Sequence, residues 1–407
     1  MEQIELDVNA HAYLGSAIGR DESGRVIFVP YSIPGEKVRV EISDVHKRWA
    51  RARILETVSA SQDRVAPRCK HFMECGGCHY QHMSYALQLE AKQEIVRSQL
   101  ERIGGLDQPP VLVAVPSPSP WHTRNHMQFS VTQEGQIGLH AAQSETVIAI
   151  EECYLANEKI NTLWPNLDLG SIPGLERVTI RSGVDDEMMI IFHSEFDPEV
   201  DLKIDLTASV VWMGAKRTVV MAGDDHIAMR AHDRDFRVSA GSFFQVHSTL
   251  VSQLVDRAMQ ALDINQDELI LDLYAGVGLF SAHIAERAAQ LIAVEQSPWA
   301  AADFEVNLAE FDNVILYEAH VEDVLPTIEM KPHAVLVDPP RTGLGKNVVQ
   351  KLTELEPSRI IYISCDPTTL ARDAKKLADG GYRLEAVIPY DLFPQTFHIE
   401  TLSIWRR

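Results

Sequence analysis

The sequence predicts an α/β protein. Its C-terminal part, 236–407, is expected to be a Rossmann-like domain with a mainly parallel sheet, preceded by an OB-like β-barrel (1–60) and a central α+β domain (61–235). Three observations carry this. Apolar runs (ELILDL, LIAVE, VILYEA, AVLVDPP, RIIYISC) recur beyond residue 240, each followed by a stretch able to form a helix. Strands buried on both faces and alternating with helices belong to a parallel sheet. The first sixty residues instead carry short alternating strands broken by Gly15, Gly19, Gly24 and Gly35, as small barrels do. Between these regions Cys69, Cys75 and Cys78 crowd one loop.

In the barrel segment the expected strands include Glu2–Val8, Arg25–Val29 and Lys37–Ile42. After the Cys-rich loop (67–83), Ser84–Gly104 reads as one amphipathic helix. Tyr85, Leu89, Val96, Leu100 and Ile103 form its stripe and Gly104-Gly105 its stop, and it is expected to pack on the C-terminal domain. A Pro-rich linker (Pro109, Pro110, Pro116, Pro118, Pro120) leads to strands up to about residue 235, a region without a catalytic motif. At the far end, Tyr382–Pro389 and His398–Trp405 read as two strands joined by a loop without a helix. A parallel core closed by such a pair is less typical of dinucleotide dehydrogenases.

Composition narrows the class. The chain of 407 residues is 45% hydrophobic and 23% charged, the balance of an ordinary soluble protein. The acidic start MEQIELDVNA has no apolar core and no apolar run approaches a membrane span, so a cytoplasmic protein without membrane association is expected. Nothing calls for an obligate protein partner. The net charge of −21 argues against a polyanionic partner, yet it is unevenly spread. Residues 37–53 hold Lys37, Arg39, Lys47, Arg48, Arg51 and Arg53 against Glu41 and Asp44.

The strand at 268–273 runs into Tyr274-Ala275-Gly276-Val277-Gly278. Gly276 and Gly278 permit a sharp turn and close approach of a ligand. Glu295, nineteen residues after Gly276, is placed to accept ribose hydroxyl hydrogen bonds. That much fits NAD and S-adenosylmethionine equally. The third glycine of the dinucleotide fingerprint is missing, since Leu279, Phe280 and Ser281 follow Gly278. Asp338-Pro339-Pro340-Arg341 holds a carboxylate at the sheet edge where ligands bind. Methyl transfer to a nucleobase becomes the leading reading, on a class I, Rossmann-like methyltransferase domain.

Cys365 follows the apolar run Arg359–Ser364, at a strand tip on the same edge as Asp338. A helix starting at Pro367 would lower its thiol pKa, and Asp366 would oppose that. Carbon 5 of uracil is too weak a nucleophile to take a methyl group directly. A thiolate added at C6 makes C5 enolate-like, and a base must later remove the C5 proton. His398 and Glu400 would share one face of an extended strand, and Glu400 is the candidate base.

SCDPTTLARD at 364–373, DPPRTGL at 338–344, PQTFHIE at 394–400 and FFQVH at 243–247 together resemble the bacterial RNA 5-methyluridine (uracil-C5) methyltransferase family. The resemblance implies Cys365 as nucleophile, Glu400 as base, and Gln245, Tyr274, Gly276, Gly278, Glu295 and Asp338 around S-adenosylmethionine. Asp366 departs from the Asn of many members, and Ala275 from their Cys. An adenine-contacting side chain is expected within 319–323.

Cys69-x5-Cys75-x2-Cys78 with Cys153 as a distant fourth ligand suits zinc or an iron–sulfur cluster by spacing. The resemblance implies a [4Fe–4S] cluster of structural role, a TRAM-like barrel and 23S ribosomal RNA in preference to tRNA. RNA is expected at Lys47, Arg48, Arg51 and Arg53 and at Trp121-His122-Thr123-Arg124-Asn125, with Phe243 available to stack on a flipped uridine. Two other classes compete: a non-catalytic metal-binding RNA-binding protein, and an NAD-dependent oxidoreductase that would leave Cys365 and Glu400 without roles.

Overall fold

Alternation of side chains along each strand explains the four sheets in a computed structural model that describes residues 2–170, 172–197 and 207–407. Part of the expected strand region, 198–206, lies outside the described residues. Strands β1 (Gln3–His11), β2 (Ser16–Arg20), β3 (Val26–Pro30), β4 (Lys37–Val45) and β5 (Trp49–Ser59) close a barrel in the order β1-β2-β3-β5-β4. Leu6, Val8, Ile27, Val29, Val38, Val40 and Ile42 fill its interior, as a period of two requires.

A helix, α1 (Tyr85–Arg102), precedes the central sheet. That sheet comprises β6 (His126–Val131), β7 (Ile137–His140), β8 (Val147–Ala149), β9 (Leu175–Ser182), β10 (Met188–Ser194), β11 (Ser209–Met213) and β12 (Thr218–Ala222), with α2 (Glu158–Leu163) between β8 and β9. Its order is β12-β11-β10-β9-β6-β7-β8, and only β10 and β11 run parallel. Phe129, Val178, Ile180, Trp164 and Trp212 pack together in its core with Ile160 of α2. A hairpin of β13 (His226–Ala231) and β14 (Arg234–Ser239) follows.

The C-terminal unit has the expected alternation. It runs α3 (Ser248–Leu262), β15 (Leu269–Leu273), α4 (Leu279–Ala285), β16 (Gln290–Glu295), α5 (Pro298–Asn307), β17 (Val314–Glu318), α6 (Val321–Val324), β18 (Ala334–Val337), α7 (Lys346–Leu355), β19 (Arg359–Ser364), α8 (Pro367–Asp379), β20 (Arg383–Tyr390) and β21 (Glu400–Arg406). The sheet order is β17-β16-β15-β18-β19-β21-β20. The first five are parallel, whereas β21 is antiparallel to both neighbours. Successive residues feed opposite cores: Ile270, Leu336, Ile361 and Ile363 on one face, Leu271, Val335, Val337, Ile360 and Tyr362 on the other.

Helix α1 joins the second of those faces through Ile95, Val96 and Leu100, but its stripe differs from the expected one. Gln88, Ala91 and Lys92 are buried, while Ile103 is exposed. The polar pair grips the loop that leads into β21. Lys92 Nζ lies 2.5 Å from Asp391 Oδ1 and donates to Phe393 O at 3.0 Å. Gln88 Nε2 donates to Gln395 Oε1 at 3.0 Å, and its own Oε1 accepts from Gln395 N at 3.1 Å. Lys92→Ala should cost about 3–5 kcal/mol, because it leaves the Asp391 carboxylate buried without its cation. Urea unfolding checks this, and a loss under ~1 kcal/mol, in the range of exposed ion pairs, would refute it.

The Pro-rich stretch is more than a connection. Leu112 N donates to Val387 O, Val387 N to Pro110 O, Val115 N to Pro389 O and Asp391 N to Val115 O, all at 2.8–3.0 Å. It runs parallel to β20 and covers the sheet's otherwise open edge.

Candidate active site

At the C-terminal edge of the parallel strands the chain supplies a glycine turn, three carboxylates and a thiol. The turn after β15 is strained. Tyr274 adopts φ 67°, a conformation that penalises a bulky side chain, with its N–H donating to Val294 O at 3.0 Å. Gly276 (φ 56°) and Gly278 (φ 92°) complete it. A Cβ at Gly276 would meet no protein atom within 4 Å, whereas one at Gly278 would lie 2.3 Å from Leu308 Cδ1. The first faces space a ligand can occupy and the second packs on α5 and the segment after it. Gly276→Ala should therefore cost about 1 kcal/mol of backbone strain and Gly278→Ala about 1–3 kcal/mol. Calorimetric melting of both variants checks the ranking, and equal losses would contradict it.

Glu295 is buried. Its Oε2 accepts from Gly276 N at 2.8 Å and its Oε1 from Ser297 N at 2.7 Å, so it braces the turn while keeping further lone pairs for a ligand. Ala319 N donates to Glu295 O at 3.0 Å. This brings the 319–323 segment beside it, with His320, Glu322 and Asp323 exposed. Gln245 is buried on a segment that Asp303 of α5 fixes, accepting from Ser239 N (2.7 Å) and Ser242 Oγ (2.6 Å). Its neighbour Phe244 belongs to the same apolar core as Ala275 and Val277, and Gln245 O accepts from Asn125 Nδ2 at 3.2 Å.

Asp338 follows β18 and its N–H donates to Leu273 O at 3.2 Å. Cys365 follows β19, and Glu400 opens β21. The pairing Ser364↔Thr401 in the antiparallel ladder puts the thiol and the Glu400 carboxyl on adjacent strand ends. Their charges act on one another. Burial and the charges of Glu400 and Asp338 push the Cys365 thiol up to about 12, with Arg341 pulling it down. Asp366 raises the thiol as well, the opposition expected of it, and with burial, Glu400 and Asp338 it leaves no net lowering from the start of α8. Burial and Asp338 raise Glu400 well above the usual carboxylate range, and burial with Asp272 raises Asp338 to about 7. His398 lies ahead of β21 rather than in it, packed on Phe393 and Phe397. Burial and the neighbouring Arg341 hold it neutral, near 3.

The four remaining cysteines form a second group. Cys69, Cys75, Cys78 and Cys153 line one cavity of about 240 Å³ together with Arg124 and Val246, several times the ~30 Å³ of a water. All are free thiols. Burial raises Cys69 and Cys75, and raises Cys78 to about 12. A charge on Cys153 raises all three further, so a bound cation would be favoured. Asn161 holds Cys153 by accepting from its N–H (3.0 Å) and donating to its carbonyl (2.9 Å). Among the described residues no group of three or more Cys, His, Asp or Glu is gathered tightly enough to ligate a single metal ion.

Residues 84–407 match the profile of the tRNA (uracil-5-)-methyltransferase family, and residues 2–55 that of the TRAM domain. The chain belongs to that family. The methyltransferase is 34% identical over 428 residues to an uncharacterized RNA methyltransferase of Streptomyces coelicolor, covering 99% of this chain and 92% of that protein. It is 31% identical over 465 residues to another from Chlorobaculum tepidum, covering 99% and 96%. Among solved structures it is similar to the Pyrococcus abyssi tRNA (uracil-54, C5)-methyltransferase in complex with S-adenosyl-L-homocysteine, at 26% identity and a TM-score of 0.75, over 99% of this chain and 100% of that one.

The methyltransferase exposes Lys47, Arg48, Arg51 and Arg53 on β5 and the turn before it. His46 stacks on Trp49 at 3.8 Å, and the Arg51 guanidinium sits 5.8 Å from that ring. Trp121 is half-buried, with Arg68 5.5 Å over its ring, and Phe243 is 66% exposed. No helix among the described residues is long and apolar enough to cross a membrane. Sequence reasoning missed Asp272. It is fully buried in β15, accepts from Ser281 Oγ at 2.5 Å and has Oδ1 unpaired. Burial and Glu295 lift it to about 7. Its one available signal was an acid set among the apolar residues of LILDL, 269–273. Arg341 was in view within DPPRTGL but had no role assigned.

Proposed function

We propose that this RNA uracil-5 methyltransferase works through a covalent Cys365–uracil C6 adduct, and the observation that carries the reading is the adjacency of Cys365 and Glu400 across β19 and β21 beside Asp338. Bound S-adenosylmethionine supplies an electrophilic methyl group on a sulfonium, a cation suited to an edge lined by Asp272, Asp338 and Glu400. Gln245, Tyr274, Glu295 and the Gly276–Gly278 turn would hold it. A carboxylate of raised pKa takes the Cys365 proton. The sulfur adds to C6, and the C5=C6 electron pair moves toward O4. C5 then takes the methyl group, releasing S-adenosylhomocysteine. Glu400 removes the C5 proton, and that electron pair restores C5=C6 as Cys365 leaves. A raised Glu400 pKa suits a base working near neutrality.

The four cysteines would hold a [4Fe–4S] cluster. Four thiols around a cavity larger than one ion fit a cubane, each binding a different iron, whereas one zinc with Zn–S bonds of about 2.3 Å needs a tighter ring. The cluster would fix Val246, next to Gln245, and carry no electrons in the reaction. Anaerobic purification should give about four irons and matching sulfide; stoichiometric zinc would overturn the assignment.

The substrate is proposed to be 23S ribosomal RNA in the cytoplasm. The Pyrococcus abyssi neighbour favours tRNA as the second reading. Unmodified transcripts of both, offered with radiolabelled methyl donor, decide between them. Methyl incorporation at C5 of uridine in tRNA alone overturns the ribosomal reading, and incorporation in neither overturns both.

A further inference from the structure

We infer that Tyr13, a residue of the N-terminal barrel, is a positioning residue of the catalytic centre, holding Asp366 and through it the strand tip that carries Cys365. The inference rests on the covalent reading above. Tyr13 sits in the turn between β1 and β2, where Ala12 N donates to Ser16 O at 2.8 Å and Leu14 (φ 71°) and Gly15 (φ 86°) reverse the chain. Its hydroxyl donates to Asp366 Oδ2 at 2.9 Å, across 353 residues of sequence. The other oxygen, Oδ1, accepts from Thr368 N (2.8 Å) and Thr369 N (3.0 Å) and so caps α8. On the other side of the nucleophile, Ser364 Oγ accepts from Asp366 N and donates to Asp366 O. Cys365 thus lies between two residues whose polar atoms are engaged, and Tyr13 supplies a partner from the N-terminal barrel.

The barrel turn is seated firmly enough to do this. The Tyr13 ring packs edge-on against Phe397 at 6.1 Å, three residues before Glu400, and Phe397 packs against His79 of the Cys loop at 4.5 Å. A Cβ on Gly15 would come within 3.1 Å of His79. Tyr13 itself joins the apolar core that contains Val96, Leu100 and Ile399. Burial and Asp366 keep the phenol protonated, hence a donor. A barrel serving only as an RNA handle needs none of these contacts. Here its turn braces the loops of both Cys365 and Glu400.

The test uses the full-length enzyme. Tyr13→Phe keeps the ring packing and removes the donor. Single-turnover methyl transfer at saturating RNA and S-adenosylmethionine should slow roughly tenfold, the scale of one hydrogen bond to a charged group, with KM for RNA unchanged. In an Asp366→Asn background the same substitution should cost measurably less, because the two residues act on one interaction. Unchanged turnover, a loss confined to KM for RNA, or equal losses in both backgrounds would each overturn the inference. RNA containing 5-fluorouridine separates this from failure of the covalent reading, since a C5 fluorine cannot be abstracted as a proton is and the adduct accumulates. No denaturant-stable adduct with the unaltered enzyme refutes the Cys365 mechanism. An adduct that Tyr13→Phe forms equally fast refutes only the role of Tyr13.

Discussion

Cys365→Ala is expected to lower methyl transfer to RNA by about four orders of magnitude or more, the scale on which removal of a nucleophile silences covalent enzymes. Without the thiolate, C5 stays part of an aromatic-like pyrimidine and has no electron pair to offer the sulfonium. Binding should survive, because the donors of the cofactor turn and the basic barrel edge are untouched. Burial, Glu400 and Asp338 push the Cys365 thiol up to about 12, so near neutrality it is uncharged in the fold and alanine removes no buried charge; stability should change little. Methyl incorporation, S-adenosylmethionine binding and melting, measured together, check all three. Turnover within a hundredfold of the parent enzyme would refute the covalent mechanism.

Glu400→Gln should do something different: methylate once and stop. Glu400 is the proposed acceptor of the C5 proton, so a denaturant-resistant protein–RNA species should accumulate while turnover falls about 10²–10⁴-fold. Absence of that species would point to another base. The same substitution carries a pH signature. Burial and Asp338 raise the Glu400 pKa in the fold, so the folded protein binds this proton more tightly than the unfolded chain. The resulting stabilisation is present below the unfolded value of about 4.3 and is lost as pH rises through the raised one. Glutamine does not titrate. The melting-temperature advantage of Glu400→Gln should therefore widen from acid to pH 8, and a gap independent of pH would contradict the assignment.

What could be read from the sequence was what repeats or abuts. Ile360 to Ile363, the apolar body of Arg359–Ser364, declares a strand, and Cys365 inherits a place at its tip from that fact. The closing pair was legible for the same reason, and with it Glu400. What stayed hidden depends on partners far apart in the chain. Lys92 and Gln88 lie on the buried face of α1 only because Asp391 and Gln395 wait there, so a stripe chosen by hydrophobicity ran through Leu89 and Ile103 instead. Pro110 and Val115 form an edge against β20, although proline-rich composition signals a linker. For the Cys365 thiol the sequence shows only the two local influences, the start of α8 lowering it and Asp366 raising it. Its actual surroundings are set by Asp338 and Glu400, on strands whose adjacency is a matter of topology. Tyr13 gave no sign at all, since its partner is Asp366.

The antiparallel insertion of β21 has a further consequence. Thr401 Oγ1 donates to Ser364 O and Ser403 Oγ to Tyr362 O, each at 3.1 Å, so the β19–β21 ladder is riveted by side chains as well as backbone. The proposed nucleophile and base, Cys365 and Glu400, sit at the end of that ladder, which fixes the spacing of their backbones. On the proposed mechanism, a uridine held within folded RNA would have to be unstacked and brought to that ladder's tip. Discrimination among uridines then depends on how readily each is surrendered by its own surroundings, so target choice is partly a mechanical property of the RNA.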